Sequence, residues 1–93
     1  MIGRVVIRKR AQKQLVRMPT RIAEKLMAWV EAVMADGLEE VRKVPGYHDE
    51  PLKGERLGQR SIRLSIAYRA IYEIKRDGRV EFVSIEEVSK HDY

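Results

Sequence analysis

The sequence predicts a small α+β fold, in which two N-terminal helices form a hairpin and pack on a mainly antiparallel, twisted sheet of about four strands. Apolar residues recur at helical spacing between positions 11 and 34, and they alternate or cluster as in strands between positions 62 and 85. A short β-branched run precedes the helices. Helices with an apolar stripe must bury it, and the sheet is the available partner. With 93 residues, we expect one domain spanning positions 1–93.

The N-terminal half predicts one strand and two helices. The strand covers the β-branched residues 5–7. The first helix runs from about Ala11 until Pro19 ends it, and the second begins near Thr20 and stops at Gly37. The apolar stripe of the second helix consists of Ile22, Leu26, Val30 and Val33, widened by Ala23, Met27, Trp29 and Met34. We expect these residues to form core and not a cofactor pocket.

The C-terminal half predicts a loop followed by three antiparallel strands. Residues 38–50 carry Pro45 and Gly46 and predict a loop with a short helical turn at 38–41. The strands are expected at 62–66, where apolar and polar residues alternate, at 67–74, and at 80–85. The sequence Arg76-Asp77-Gly78 predicts a hairpin turn between the last two.

Composition favours a polyanionic partner. The net charge is +5 and the first 47 residues hold the whole excess, with no acidic residue before Glu24. The absence of cysteine and the presence of only two histidines argue against disulfides and a metal site. No apolar run has the length of a membrane span, so we expect a cytoplasmic protein without a membrane partner. The basic helix face is either a solvated surface or a phosphate contact, and its residues are Arg8, Lys9, Arg10, Lys13, Arg17, Arg21 and Lys25.

Arginine and tyrosine are interleaved on the predicted strands. Arg63 and Arg69 stand beside Tyr68 and Tyr72. Guanidinium groups bind phosphate and aromatic rings stack on bases, so a nucleic-acid surface is one interpretation. The alternative is an ordinary half-buried sheet, with the tyrosines in the core and Arg69 in a structural ion pair with Glu73 or Glu81.

Four segments together resemble the RelE/ParE superfamily of bacterial toxins, most closely the HigB- and RelE-type ribosome-dependent mRNA interferases. These are H-D-E-P-L-K-G at 48–54, S-I-R-L at 61–64, Y-R-A-I-Y at 68–72 and K-H-D-Y at 90–93. The resemblance implies the toxin of a type II toxin–antitoxin system. It would cleave mRNA in the ribosomal A site by attack of a 2′-hydroxyl on the adjacent phosphate, and so inhibit translation.

The resemblance also implies roles for individual residues. Arg63 and Arg69 would stabilise the phosphate, and His91 and Tyr93, aided by Lys90, would serve proton transfer and base stacking. RelE-like members often carry two lysines where this chain has Ser61 and Arg63, which shifts proton transfer toward His91 because an arginine is a poor base. The residues expected to bind RNA or the ribosome are Lys53, Arg56, Arg60, Lys13, Arg17, Arg21 and His48.

The implied partners are a cognate antitoxin, the ribosome and mRNA, with no small-molecule cofactor. Two other functions stay open. A ParE-like protein would poison DNA gyrase through protein contacts without proton-transfer residues, and a small basic module would bind RNA or the ribosome without catalysis. For single residues, His48 could serve only its own loop, and His91 and Tyr93 could be ordinary terminal residues.

Overall fold

The computed structural model describes residues 1–90 of the chain. Its helices are α1 (Lys9–Val16), α2 (Thr20–Asp36) and α3 (Leu38–Val41). Its strands are β1 (Val5–Ile7), β2 (Glu50–Pro51), β3 (Gln59–Arg63), β4 (Tyr68–Asp77) and β5 (Val80–Lys90). Two 3₁₀ turns, Pro45–Tyr47 and Gly54–Arg56, flank β2. Within residues 1–90, no helix combines the length and the apolar character needed to cross a membrane.

The five strands form one mixed sheet in the order β1-β5-β4-β3-β2. Among the strand pairs within residues 1–90, only β1 and β5 run parallel, with Val5 opposite Val83, and the other pairs are antiparallel. The predicted sheet of about four strands therefore lacked one member, β2. That strand has two residues, one of them a proline, and so carries no periodic pattern by which it could be recognised.

The last strand is longer than predicted because a bulge interrupts its alternation. Tyr72 lies opposite Ile85 and Ile71 lies opposite Glu87, so Glu86 is an extra residue in β5. The strand then continues to Lys90. The turn before it also lies later than predicted: Gly78 and Arg79 connect β4 to β5, with Gly78 at φ 59°.

The start of α2 at Thr20 and its end before Gly37 are confirmed. Gly37 has φ 87° and its N–H binds the carbonyl of Val33, which closes the last turn. The short turn at 38–41 is also confirmed, as α3. The first helix begins two residues before Ala11. It lies beside β5, and the side-chain oxygen of Gln14 accepts a hydrogen bond from Val88 N at 2.7 Å.

The core lies between the helices and one face of the sheet. Trp29 and Tyr72 are both fully buried, with ring centroids 5.2 Å apart. Two residues that the sequence predicts as core, Met27 and Met34, are 43% and 59% exposed. They lie at the margin of the apolar stripe that faces the sheet. Ile66 is 79% exposed, because β3 ends at Arg63 and the chain turns before β4.

Candidate phosphate-binding site

Pairing of β3 with β4 places Arg63 directly opposite Arg69, and we call these two residues the arginine pair. Side chains opposite each other in an antiparallel ladder lie on the same face, and like charges there repel. Arg63 is exposed and Arg69 is partly buried. The Nε atom of Arg69 is buried, and it has no hydrogen-bond partner in the part of the chain that the structure describes. An unpaired guanidinium donor beside a second guanidinium favours an anion.

The arginine pair borders an open cleft on this face of the sheet. The other residues that line it are His48, Glu50, Ser61, Ser65, Ile66 and Tyr68. Glu50 enters from β2, where it lies opposite Ser61. His48 follows the 3₁₀ turn and is left-handed, with φ 45° and ψ 48°. The cleft thus brings a carboxylate and an imidazole close to two guanidinium groups, which is a set suited to proton transfer beside a phosphate.

The end of β5 lies beside the same site. Ser89 is opposite Arg69, and Lys90 is opposite Tyr68. Lys90, one of the predicted catalytic residues, is exposed. The other two residues predicted at this end, His91 and Tyr93, lie outside the described residues.

Two arginines that the sequence predicts as RNA contacts are instead engaged in ion pairs. Arg60 Nε binds the Asp49 carboxylate at 2.6 Å, and the Arg60 side chain is only 23% exposed. Arg56 binds Glu87 at 3.2 Å and also donates to Gln59. Both side chains therefore stabilise the protein itself, and neither lines the cleft. Within residues 1–90, Arg56 and Arg60 thus differ from the arginine pair in having carboxylate partners.

The remaining predicted RNA contacts lie on other surfaces, with the exception of His48 in the cleft. Lys53 is exposed in the segment after β2. Lys13, Arg17 and Arg21 are exposed on α1, on the residue that follows it and on the first turn of α2. Lys13 and Arg17 lie together, and the residues that line the cleft include none of these four. The structural ion pair of Arg69 with Glu73 or Glu81 is absent from residues 1–90, where Glu73 instead contacts Gln59 and Lys75.

Beneath the cleft, a buried carboxylate joins two strands. Asp49 has no exposed side-chain surface, and it accepts hydrogen bonds from Arg60 of β3 and from the Tyr72 hydroxyl of β4. Burial raises the pKa of Tyr72, and the Asp49 carboxylate raises it further. Burial lowers the pKa of Arg60, but the hydrogen bond and charge of Asp49 outweigh this and leave it raised.

Sequence reasoning missed Glu50 as a site residue. The signal was available, since Glu50 belongs to the H-D-E-P-L-K-G segment and follows His48 by two positions. What the sequence could not reveal is that a two-residue strand would carry it to the face of the arginine pair. As for metals, no group of three or more His, Asp or Glu residues that could hold one exists within residues 1–90.

Known proteins similar to this chain include one toxin family and several solved structures of similar fold. The sequence model of "ParE toxin of type II toxin-antitoxin system, parDE" matches residues 5–90. No curated protein matches the chain. Among solved structures, YafQ from E. coli strain BL21(DE3) aligns with a TM-score of 0.73 at 16% identity, over 94% of this chain and 91% of that one.

Two further structures are similar to this chain. They are the archaeal RelE-RelB complex from Pyrococcus horikoshii OT3 (TM-score 0.69, 20% identity, 97% of this chain and 96% of that one) and the toxin-antitoxin complex RelBE2 from Mycobacterium tuberculosis (TM-score 0.62, 24% identity, 98% and 100%). At these identities the likeness establishes the fold, which is an α+β fold of the RelE type.

Proposed function

Because the chain belongs to the ParE toxin family of type II toxin–antitoxin systems, we propose that it arrests growth as an endoribonuclease that cleaves mRNA in the ribosomal A site. Membership confirms the resemblance to the RelE/ParE superfamily. The arginine pair supports the enzymatic proposal: two guanidinium groups lie on one face, one with a buried Nε that lacks an acceptor in residues 1–90, and they line the same cleft as a carboxylate and an imidazole.

In the proposed reaction the substrate phosphate lies on the arginine pair. Glu50 or His48 accepts the proton of the 2′-hydroxyl, whose oxygen forms a bond to phosphorus. The bond between phosphorus and the 5′-oxygen breaks, which leaves a 2′,3′-cyclic phosphate and a 5′-hydroxyl. The arginine pair stabilises the charge of the pentavalent transition state. We assign protonation of the leaving 5′-oxygen to His91, which follows directly after Lys90, because a histidine titrates near neutral pH.

A cognate antitoxin completes the proposal. Two of the similar structures are toxin–antitoxin complexes, RelE-RelB and RelBE2. This chain has a net charge of +5 and an arginine pair without an ion-pair partner within residues 1–90. An acidic antitoxin segment would therefore bind it favourably and cover the cleft.

A second candidate function follows from the family match itself. The matching family is that of the ParE toxin, and by resemblance a ParE-like chain would act on DNA gyrase through protein contacts. Such a protein needs no proton-transfer groups, so changes at the arginine pair would act only through lost contacts. The two functions differ in whether mRNA is cut.

The deciding experiment is inducible expression of the full chain with primer extension on a translated reporter mRNA. The variants are Arg63→Ala and Arg69→Ala, with Arg79→Ala in the β4–β5 turn as the matched control. We expect new 5′ ends with the wild type and the control, and a loss of cleavage of about a hundredfold or more in the two site variants, since they remove donors to the transition state. Protein levels and circular dichroism establish that the variants fold.

Growth arrest with intact mRNA would overturn the endoribonuclease proposal. A plasmid supercoiling assay with purified gyrase would then test the second candidate, because inhibited supercoiling is its expected signature.

A further inference from the structure

The Asp49 carboxylate has both of its oxygens occupied by groups from two different strands. Arg60 Nε binds Oδ1 at 2.6 Å, and the Tyr72 hydroxyl donates to Oδ2. The Asp49 side chain is fully buried. We call these three residues the Asp49 clamp. A carboxylate held at both oxygens is restricted in position, and this restrains the backbone that carries it.

The two residues on either side of Asp49 are the ones that reach the cleft. His48 precedes it and Glu50 follows it, and both line the cleft beside the arginine pair. Glu50 is exposed whereas Asp49 is buried, in keeping with successive residues of a strand pointing to opposite faces. Any displacement of Asp49 must therefore move both neighbours.

Backbone hydrogen bonds lie on either side of Asp49, from His48 N to Pro45 O at 3.1 Å and from Leu52 N to Gln59 O at 2.9 Å. β2 has two residues, and Pro51 lacks an N–H to donate. His48 has a left-handed conformation, which non-glycine residues seldom adopt and which persists only where the surroundings impose it. The hydrogen bond from His48 N to Pro45 O holds it on one side, and the Asp49 clamp restrains the next residue on the other.

Stability alone does not account for the Asp49 clamp. Apolar residues of similar volume often stabilise a core as well as a buried ion pair does, whereas a buried ion pair adds directional precision. We propose that the Asp49 clamp positions His48 and Glu50 beside the arginine pair. This role rests on the proposed function of the cleft. Asp49 touches no substrate and acts through its two neighbours.

The test compares the full chain as wild type, Tyr72→Phe and Tyr47→Phe by NMR. Tyr72→Phe removes one hydrogen bond of the Asp49 clamp and keeps the ring. Tyr47→Phe is the control, because it keeps a ring that packs against the core and lies 5.0 Å from the Lys25 ammonium, while the Tyr47 hydroxyl makes no hydrogen bond among the described residues. Without any ligand, we expect the amide resonances of His48 and Glu50 to move toward disordered positions in Tyr72→Phe alone, while the Val83 amide in β5 stays in place.

A second measurement adds inorganic phosphate. In the wild type and control we expect the arginine Nε–H signals and the His48 ring to respond together. In Tyr72→Phe the arginine pair should respond with an unchanged half-saturation concentration, and the His48 response should disappear. Cleavage of the reporter mRNA should fall about a hundredfold, the cost expected when a reacting group is misplaced by an ångström.

Different results would overturn the positioning role of the Asp49 clamp and the proposed function of the cleft. Native-state signals of His48 and Glu50 that are unchanged in Tyr72→Phe would overturn the positioning role, even if that variant unfolds at a lower temperature. Absence of any phosphate response at the arginine pair of the wild type would overturn the proposed function instead. The measurement without ligand still decides in that case whether the Asp49 clamp holds its neighbours.

Discussion

Two arginines opposite each other on neighbouring strands repel, so the sheet gains nothing in stability from the arginine pair. Arg69 also leaves a buried Nε without an acceptor within residues 1–90, which is a further cost. An anion between the two guanidinium groups removes the repulsion between them. Arg60, by contrast, has its counter-charge in Asp49 and stabilises the fold.

At the same scale, the Asp49 clamp predicts how stability depends on pH. The folded state raises the pKa of Tyr72, so it favours the neutral phenol. The stabilisation is therefore complete below the unfolded pKa of about 10 and is lost as pH rises above it. Tyr72→Phe should cost about 1.5–3 kcal/mol at neutral pH, the range for a hydrogen bond to a charged group, and should remove this part of the alkaline decline.

Urea unfolding of the wild type, Tyr72→Phe and Tyr47→Phe from neutral to strongly alkaline pH measures the effect. The free energies of the wild type and Tyr72→Phe should converge as pH rises, whereas Tyr47→Phe should run parallel to the wild type. A constant gap between the wild type and Tyr72→Phe would contradict the prediction.

Among the elements, β5 contacts α1 directly after its bulge. It sets Glu87 between Arg10 of α1, at 2.8 Å, and Arg56 of the turn before β3, at 3.2 Å. The Glu87 side chain is 9% exposed, while the two arginines are partly in solvent. One carboxylate thus connects a helix, a strand and a loop on the same side of the sheet.

Glu87→Gln should therefore loosen α1 as well as lower overall stability. We expect a loss of about 1–2 kcal/mol, between the values typical of exposed and of buried ion pairs. The control is Glu81→Gln, an exposed position in the same strand. Chemical denaturation gives the free energy, and hydrogen exchange of the α1 amides reports the local effect. Equal stability of the two variants would show that Glu87 contributes no more than a surface charge.

The elements also show what sequence could and could not predict. The second helix was predictable because its stripe repeats over several turns and Gly37 closes it. The second half of β5 was not, because the bulge at Glu86 breaks the alternation on which strand prediction depends. For the candidate site, Arg63 and Arg69 stood out by pattern, whereas Asp49 and Glu50 depend on a two-residue strand whose pairing only the folded chain defines.

Across the whole molecule, basic residues lie on two surfaces, one on the helices and one on the sheet. The basic residues of the first half are concentrated on α1 and the start of α2, where Lys13, Arg17 and Arg21 are exposed. The arginine pair lies on the sheet, in the second half. Under the proposed function, a large polyanion contacts both, with the helices supplying affinity and the cleft supplying chemistry.

We therefore expect Lys13→Glu combined with Arg17→Glu to abolish growth arrest and ribosome binding without loss of fold. The matched control reverses the same amount of charge elsewhere, with Arg76→Glu and Arg79→Glu around the β4–β5 turn. Ribosome co-sedimentation over a range of salt concentrations measures binding, and its salt dependence should weaken only in the helix variant. Full toxicity of the helix variant would remove that surface from the proposed function.

The position of β5 has a consequence for the synthesis of this chain. Translation produces β1 first and β5 last among the strands, yet β5 lies between β1 and β4 in the sheet. Until residues 80–90 have been made, β1 has no strand to pair with and one edge of β4 is bare. A nascent chain that stops short of β5 lacks the buried side chains of Val83, Ile85 and Val88 and should not fold. Nonsense mutations throughout most of the gene should therefore be fully inactivating, and the ribosome that translates this chain finishes β5 before an active toxin exists.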